Sequence, residues 1–439
     1  MRGAASLPAT AGALVVLGLL AVDVAAVPVV LPSLRVELGS SSSGLVWVQA
    51  AYLVAMAVTL LMVARTRVDR RLLTGIGVAV FAGGALLAST GDETATVVTG
   101  RTLQGIGLGG LLVPALECVC RAAGERWPPL VAGAGALLAL AVAPLAGGAV
   151  AEEASWPWLF RIEAVAVAPA LLLVVAGGGR PAPAAPEQPL RGDRTTASAL
   201  GLILSVTALV QSGPWGWASA DTLLFLAAGV ALIVFAGRAG PVEADAPVLV
   251  LAGCLAVGLL LAPQYLELVR GLSPLRSGVL TAVLSVSAAT LAAAARLLAG
   301  RLPPRLPVAA GLACAALGSL GMTRIDPASS YALVVISLGL LGSGIGAAAG
   351  SVGRLGHGYG AFDGPHSVVD GRRLAAAASV AALVVAGAGA LLQRAQLEER
   401  EGGGSFEDAL AAGLAASGWL MAVLLAAAAV LAWRRAAAD

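Results

Sequence analysis

The chain has 439 residues and a net charge of only +2, and 59% of its residues are hydrophobic while 12% are charged. A soluble domain carries about 25% charged residues, so this chain cannot cover itself with a polar surface. The composition therefore predicts a multi-pass membrane protein. The small net charge gives no indication of a nucleic-acid partner.

Apolar stretches of about 17–25 residues follow one another along the whole chain, and each is predicted to be a transmembrane helix. The first continues past Asp23 and is too long for the core of a signal peptide. The sequence thus predicts an all-α polytopic membrane protein with about 14 transmembrane helices. The predicted spans centre on 9–32, 44–64, 72–90, 95–119, 129–150, 157–178, 197–213, 220–237, 247–265, 277–298, 306–322, 330–350, 373–392 and 409–432.

The distribution of arginines predicts the orientation of these helices. If both termini are cytoplasmic, 19 of the 27 basic residues lie on the inner side and seven on the outer side. Positive residues accumulate on the cytoplasmic side of membrane proteins. We therefore expect a multi-pass protein of the cell (inner) membrane with both termini in the cytoplasm.

Two breaks divide the chain. The stretch 177–196 holds four prolines and few apolar residues, and a shorter polar break follows at 237–247. Such segments are typical of linkers. We expect an N-terminal six-helix bundle, a linker with two additional helices, and a C-terminal six-helix bundle; the three parts span 1–178, 179–246 and 247–439.

A weak internal repeat relates the two predicted bundles. Gly39 and Gly44 after the first helix match Gly271 and Gly278 after the ninth. Both units run in the same direction, which is one recurrent plan of transporters whose substrate site lies between the halves. Chance similarity between apolar segments is the alternative.

Six short stretches carry a resemblance to a known family. In their order and spacing they resemble the major facilitator superfamily, and within it the fourteen-helix drug:proton antiporter branch. The stretches are "VDVAAVPVVLPSL" (22–34), "WVQAAYLVAMA" (47–57), "GRTLQGIGLGG" (100–110), "AVAPLAGG" (141–148), "SWPWLFRIE" (155–163) and "PQYLELVRGLSPLRSG" (263–278).

The resemblance implies a secondary active transporter that exports small lipophilic molecules, drugs or natural products, by proton antiport. It implies a major facilitator fold of two six-helix bundles with two extra central helices. No cofactor besides the proton gradient is implied. The expected partners are a small-molecule substrate, protons and membrane lipids, and the expected state is a monomer. A transporter-like scaffold or sensor, and a facilitator or importer, are the alternatives.

The first cytoplasmic turn departs from the family pattern. It reads "ARTRVDRRLL" (64–73) and lacks the usual glycines, so only the acid and the arginines resemble the motif. We expect Arg65, Asp69 and Arg70 to form the inner gate. Because the motif is degraded, gating can differ in this chain, and this departure also favours the scaffold alternative.

Asp23 and Arg101 are ionisable residues that lie inside predicted spans. Arg101 is seven residues from the outer end of its helix and Asp23 nine residues before Pro32, so they lie about 10 Å and 13 Å deep at 1.5 Å per residue. Intramembrane ionisable residues usually mark function. We predict a switchable, proton-coupling pair; a permanent ion pair is the alternative.

Other residues are assigned to the cavity and to a hinge. Tyr52, Gln104 and Glu163 are expected to line the substrate cavity; the alternatives are packing for Gln104 and a local pair with Arg161 for Glu163. Near helix ends, Glu117 and Glu267 are expected to be solvated. A hinge or close-packed seam, or else only a structural kink, is expected at Pro144, Gly147 and Gly148.

The sequence contains no pattern that indicates an enzyme. It has no lysine and hence no phosphate-binding GxxxxGK[ST] loop. No nucleophile triad or pair of catalytic carboxylates is apparent. His357 and His366 fall in a glycine-rich stretch that is expected to be an inner loop, and no metal site is predicted there.

Overall fold

The computed structural model describes residues 7–63, 69–122, 128–175, 192–237, 246–298, 301, 305–352 and 371–436. These residues form α-helices and one 3-10 turn, and no strand occurs among them. The helices are α1 (Leu7–Ala25), α2 (Val27–Leu38), α3 (Ser42–Val63), α4 (Arg70–Ser89), α5 (Thr94–Ala122), α6 (Pro128–Glu153), α7 (Pro157–Ala166), α8 (Leu172–Val175), α9 (Gly192–Trp215), α10 (Ala220–Gly237), α11 (Ala246–Leu268), α12 (Pro274–Leu297), α13 (Arg305–Met322), α14 (Tyr331–Val352), α15 (Gly371–Gly402) and α16 (Phe406–Ala436).

Twelve helices in the described part of the chain are long and apolar enough to cross a membrane. The prediction of an all-α polytopic membrane protein is confirmed. Two further predicted spans are shorter or broken. The apolar part of α13 covers only Leu306–Met322, and the segment expected over 157–178 consists of α7, a 3-10 turn and α8. Pro169 lies in that turn, where its missing N–H interrupts an α-helix.

In the structure the first span continues past Pro32 and is interrupted. The break falls at Ala26 between α1 and α2, because Pro28 cannot donate a backbone hydrogen bond to the preceding turn. Pro32 lies inside α2, which continues to Leu38. Gly39 then ends the helix with a φ of 61°, a left-handed conformation that glycine adopts without strain. The expected end at Pro32 is therefore wrong.

The helices of α1–α8, the N-terminal half, pack in the same pairs as those of α11–α16, the C-terminal half. If α1 and α2 are counted as one broken helix, the fourth helix of each half packs on the second and the third. These contacts are α5 on α3 and α4, and α14 on α12 and α13. Gly105 of α5 lies against the Tyr52 backbone, and Gly342 of α14 lies against the Leu284 backbone. Any β-carbon at either glycine would overlap these atoms.

The same correspondence continues along these helices. Gly107 meets the backbone of Gly77 and Phe81, and Gly344 meets that of Gly311 and Ala315. The turns that close α2 and α11 also match, because Gly39 and Gly271 have φ values of 61° and 62°. Corresponding helices thus pack in the same register in both halves, as expected for parallel repeats.

Two seams join the halves. Helix α6 packs on α12, and α3 packs on α15. Both seams reach the end of the bundle that holds the turns around Gly39, Gly271 and Gly403. We call this the distal end. Leu7 and Ala436 lie at the opposite end. Helices α9 and α10 pack on each other, and α9 also contacts α3 and α15. The Trp47 Nε1 donates to Gln211 Oε1 at 3.3 Å, and Gln393 Nε2 donates to the Val210 carbonyl at 3.2 Å.

Candidate functional site

A buried ion pair lies inside the N-terminal half. Nη1 of Arg101 on α5 donates to Oδ1 of Asp23 on α1, and neither residue is exposed at all. Removing two charges from water costs several kcal/mol per ion, which only close pairing with further hydrogen bonds offsets. Arg101 has these additional bonds: Nε donates to the Val48 carbonyl at 3.3 Å and Nη1 to Gln104 Oε1 at 3.0 Å.

Aromatic rings cover the Arg101 guanidinium. Its Cζ lies 4.1 Å from the centre of the Tyr52 ring and 6.0 Å from that of Phe160. Both distances are within the range of cation–π attraction, which strengthens where water is excluded. The rings and the carboxylate together fix the arginine on the axis between α1, α3, α5 and α7.

The polar chain continues from Arg101 to Glu163. Gln104 accepts from Arg101, and its Nε2 donates to Glu163 Oε2 at 2.8 Å. Glu163 is buried on α7, while Arg161 is exposed and lies over the Trp158 ring at 5.0 Å. The hydrogen bond of Glu163 is thus to Gln104 and not to Arg161. Asp23, Tyr52, Arg101, Gln104 and Glu163 form one connected group, the central polar cluster.

Several polar atoms of this region have no hydrogen-bond partner among the described residues. In the cluster they include Arg101 Nη2 and Glu163 Oε1. Gln49, which sequence analysis did not single out, is also fully buried, and both its Nε2 and its Oε1 lack a partner. Buried polar groups are nearly always hydrogen-bonded, so such a concentration of free atoms is typical of a site that receives a ligand or water.

Pro144, Gly147 and Gly148 lie in α6 at the seam between the halves. A β-carbon on Gly147 would lie 2.6 Å from the Ala26 carbonyl oxygen, at the break between α1 and α2, and one on Gly148 would lie 2.5 Å from the Pro274 carbonyl oxygen. Gly278 of α12 packs on the Pro144 carbonyl. These residues therefore form a closely packed contact between α6, the break in the first helix and the start of α12.

The expected inner-gate residues form two local interactions. The Asp69 carboxylate caps α4 by accepting from the Arg71 N–H at 2.9 Å. Arg70 Nη2 lies 2.9 Å from Glu117 Oε1 on α5, with about 30% of each side chain exposed. Glu117, expected to be solvated, is therefore paired. Arg65 lies outside the described residues, as do His357 and His366.

The halves touch at the distal end. Ser42 on α3 donates to Gln396 Oε1 on α15 at 2.7 Å, and the Arg35 guanidinium lies 4.8 Å from the Phe406 ring centre. At the other seam the Leu275 N–H of α12 donates to Glu152 Oε2 of α6 at 2.9 Å. In the described part of the chain, these polar contacts hold the distal end of the bundle closed.

Comparison with families of known proteins gives a match over most of the chain. The family described as Major Facilitator Superfamily matches residues 13–358. Two solved structures have the same overall fold at 12% identity: the POT family transporter PepTSo, with a TM-score of 0.64 and 98% and 99% of the two chains covered, and the nucleoside transporter NupG, with a TM-score of 0.61 and 98% of each covered.

Curated relatives have higher identity. The MFS-type efflux pump LUC4 of Fusarium sp is 34% identical over 51% of this chain and 42% of its own length. Multidrug resistance protein Stp of Mycobacterium tuberculosis is 30% identical over 74% of this chain and 64% of its own. The tetracenomycin C resistance and export protein of Streptomyces glaucescens is 26% identical over 74% and 65%. The matches thus span about two fifths to two thirds of these relatives.

Proposed function

Because the chain belongs to the major facilitator superfamily, we propose that it is a secondary active transporter that exports small lipophilic molecules by proton antiport. Relatives that share 26–35% identity are named efflux pumps, multidrug resistance proteins and an export protein, which supports export. The observation that carries proton coupling is the fully buried pair of Asp23 and Arg101.

The chemistry of this pair suits a proton switch. A carboxylate beside a guanidinium stays ionised, whereas a carboxyl group isolated in a low-dielectric site takes a proton. Arginine keeps its charge throughout and is therefore a suitable fixed partner. In the proposed cycle a proton from outside binds Asp23 and separates it from Arg101. When the pair re-forms with the inner side open, the proton leaves into the cytoplasm.

Alternating access would use the two seams. If both termini are cytoplasmic, the distal end is extracellular and its closure corresponds to an inward-facing state. Gly147 lies on the Ala26 carbonyl, and Ala26 is three residues from Asp23. A movement of α6 would therefore displace the backbone next to the proton site. The close glycine contacts let the helix backbones approach each other directly, which supports a role of Pro144 and its neighbours as a hinge or seam.

We propose fourteen membrane spans, with α7–α8 and α13 added to the twelve longer helices. The matched packing pairs support six-helix bundles over 1–178 and 247–439, and α9–α10 form the addition within 179–246. Because α9 bonds to α3 through Trp47 and to α15 through Gln393, this addition would support the seam between the bundles. A monomer in the cell membrane, surrounded by lipid, is the proposed state.

The degraded inner gate is one of two grounds for the scaffold alternative, beside a divergent C-terminal half. Asp69 still caps α4, and Arg70 still pairs with Glu117, so the gate keeps one interaction that holds α4 on α5. This observation favours transport over a scaffold without transport.

The experiment uses inverted membrane vesicles energised to an acidic interior and a pH-sensitive dye. Addition of cargo to wild-type vesicles is expected to release protons from the interior, and Asp23→Asn, which keeps the shape but cannot ionise, is expected to abolish this release. If Asp23→Asn transports with an unchanged dependence on the proton gradient, the proposal is wrong.

A further inference from the structure

Gln49 is a buried amide without a hydrogen bond. It is fully inaccessible on α3, and neither Nε2 nor Oε1 has a partner among the described residues. A buried polar group without a partner loses its interactions with water and gains nothing in return. Such a group is a position where a ligand or a water molecule supplies the partner.

Gln49 lies at the depth of the ion pair. It is seven residues from Ser42, the first residue of α3, as Arg101 is seven residues from Thr94, the first residue of α5. The bond from Arg101 Nε to the carbonyl of Val48, the neighbour of Gln49, fixes this common level. One helical turn further, Tyr52 lies on the Arg101 guanidinium. Gln49 thus lies at the level of the central polar cluster, without a hydrogen bond to it.

The face of α3 on which Gln49 lies is the face that meets the other half. Ser42 bonds to Gln396 and Val46 packs on Gly389, both on α15. Residues at i, i+4 and i+7 share one side of a helix, so Gln49 follows these two toward the middle of the molecule. It lies directly beneath the closed distal seam.

The C-terminal half has a corresponding residue. Tyr52 of α3 and Leu284 of α12 occupy the same place against Gly105 and Gly342, so three residues earlier Gln49 corresponds to Thr281. Thr281 is also fully buried, and its Oγ1 also lacks a partner among the described residues. Each half thus places a neutral, unpaired polar side chain at the equivalent position of its second helix.

We infer that Gln49 and Thr281 are cargo-recognition residues, and that the cargo is an uncharged molecule bearing hydroxyl, carbonyl or amide groups. This inference rests on the proposed function and names its class of cargo. An amide and a hydroxyl each donate and accept, so they match groups that do the same. A lipophilic cation without such groups gains no hydrogen bond from either residue, so it binds more weakly than a cargo that pairs with both.

The test compares two kinds of probe in the wild type and in Gln49→Leu, Thr281→Val and Gln396→Leu. The uncharged probes are chloramphenicol and tetracenomycin C; the cationic probe, without hydrogen-bonding groups, is tetraphenylphosphonium. Uptake into inverted vesicles and the thermal unfolding of the purified protein are measured. Gln396→Leu is the control, because it removes an amide of the same size that accepts from Ser42.

We expect the wild type to transport an uncharged probe. Transport by Gln49→Leu should be at least about tenfold slower, because the variant loses one or two hydrogen bonds to the probe. Thr281→Val should lose less. Any transport of tetraphenylphosphonium should remain. Gln49→Leu should also raise the melting temperature, whereas Gln396→Leu should lower it.

Four results would overturn the inference. One is transport of the uncharged probes by Gln49→Leu at the wild-type rate. Another is a lower melting temperature of that variant, which would assign the amide a structural role. Transport of tetraphenylphosphonium alone would leave the proposed function standing and refute the cargo class. If the folded wild type moves no probe, the proposed function fails and the inference fails with it.

Discussion

The two halves of the molecule share one packing scheme and differ in what they bury. Where the N-terminal half has Arg101 four residues before Gly105, the C-terminal half has Leu338 four residues before Gly342. Gln104 likewise corresponds to Leu341, and both leucines are buried. The close helix contacts therefore do not require the polar residues, and the fold can be built with or without them. The central polar cluster is an addition to the N-terminal repeat.

Copying the C-terminal residue into the N-terminal half should have the largest effect. Arg101→Leu leaves the Asp23 carboxylate buried without a counter-charge, which should lower the free energy of unfolding by about 3–5 kcal/mol. Addition of Asp23→Asn to the same chain should restore most of the loss. Chemical unfolding of the purified protein measures both. An Arg101→Leu variant as stable as the wild type would show that the Asp23–Arg101 pair does not stabilise the N-terminal half.

The shared packing is tested by matched glycine substitutions. Gly105→Ala and Gly342→Ala each place a methyl group on the backbone of a neighbouring helix, so each should lower the free energy of unfolding by about 1–3 kcal/mol. Gly75, with open space around its α-carbon, provides the control: Gly75→Ala should not destabilise. The prediction of equivalent repeats fails if only one of the two buried substitutions is costly.

The Arg70–Glu117 pair contains the same kinds of charge as the Asp23–Arg101 pair but is partly exposed. Partly exposed ion pairs contribute about 0–1 kcal/mol, because water and salt screen them. Glu117→Gln should therefore change stability little, and a double-mutant cycle with Arg70→Gln should give a coupling within this range that falls with added salt. A coupling as large as that between Asp23 and Arg101 would contradict the assigned role of burial.

Much of the site could be predicted from the sequence because the relevant residues are chemically exceptional. Asp23 and Arg101 are conspicuous in apolar runs, and the structure brings the predicted cavity residues Tyr52, Gln104 and Glu163 together with them. The distance from Asp23 to Pro32 was a less useful guide. The first helix continues to Leu38 and is interrupted at Ala26, so counting residues along it does not measure depth.

Gln49 and the pairing of Glu117 could not be predicted in the same way. An amide in a helix can face lipid, protein or cavity, and only the register between α3, α5 and α15 shows that Gln49 is enclosed. Glu117 lies near a helix end, where a carboxylate can be solvated or paired. Its partner Arg70 is distant in sequence and was expected in the gate for another reason.

The most direct test of the central claim compares one acid from each half in the same vesicles. Glu267 in α11 is a chemically comparable acid: its Oε1 is buried near Ser277, and among the described residues no arginine forms an ion pair with it. Cargo-induced proton release is measured for wild type, Asp23→Asn and Glu267→Gln. We expect release to be lost in Asp23→Asn and kept in Glu267→Gln. Release that persists in Asp23→Asn, or that requires Glu267 instead, would contradict this expectation.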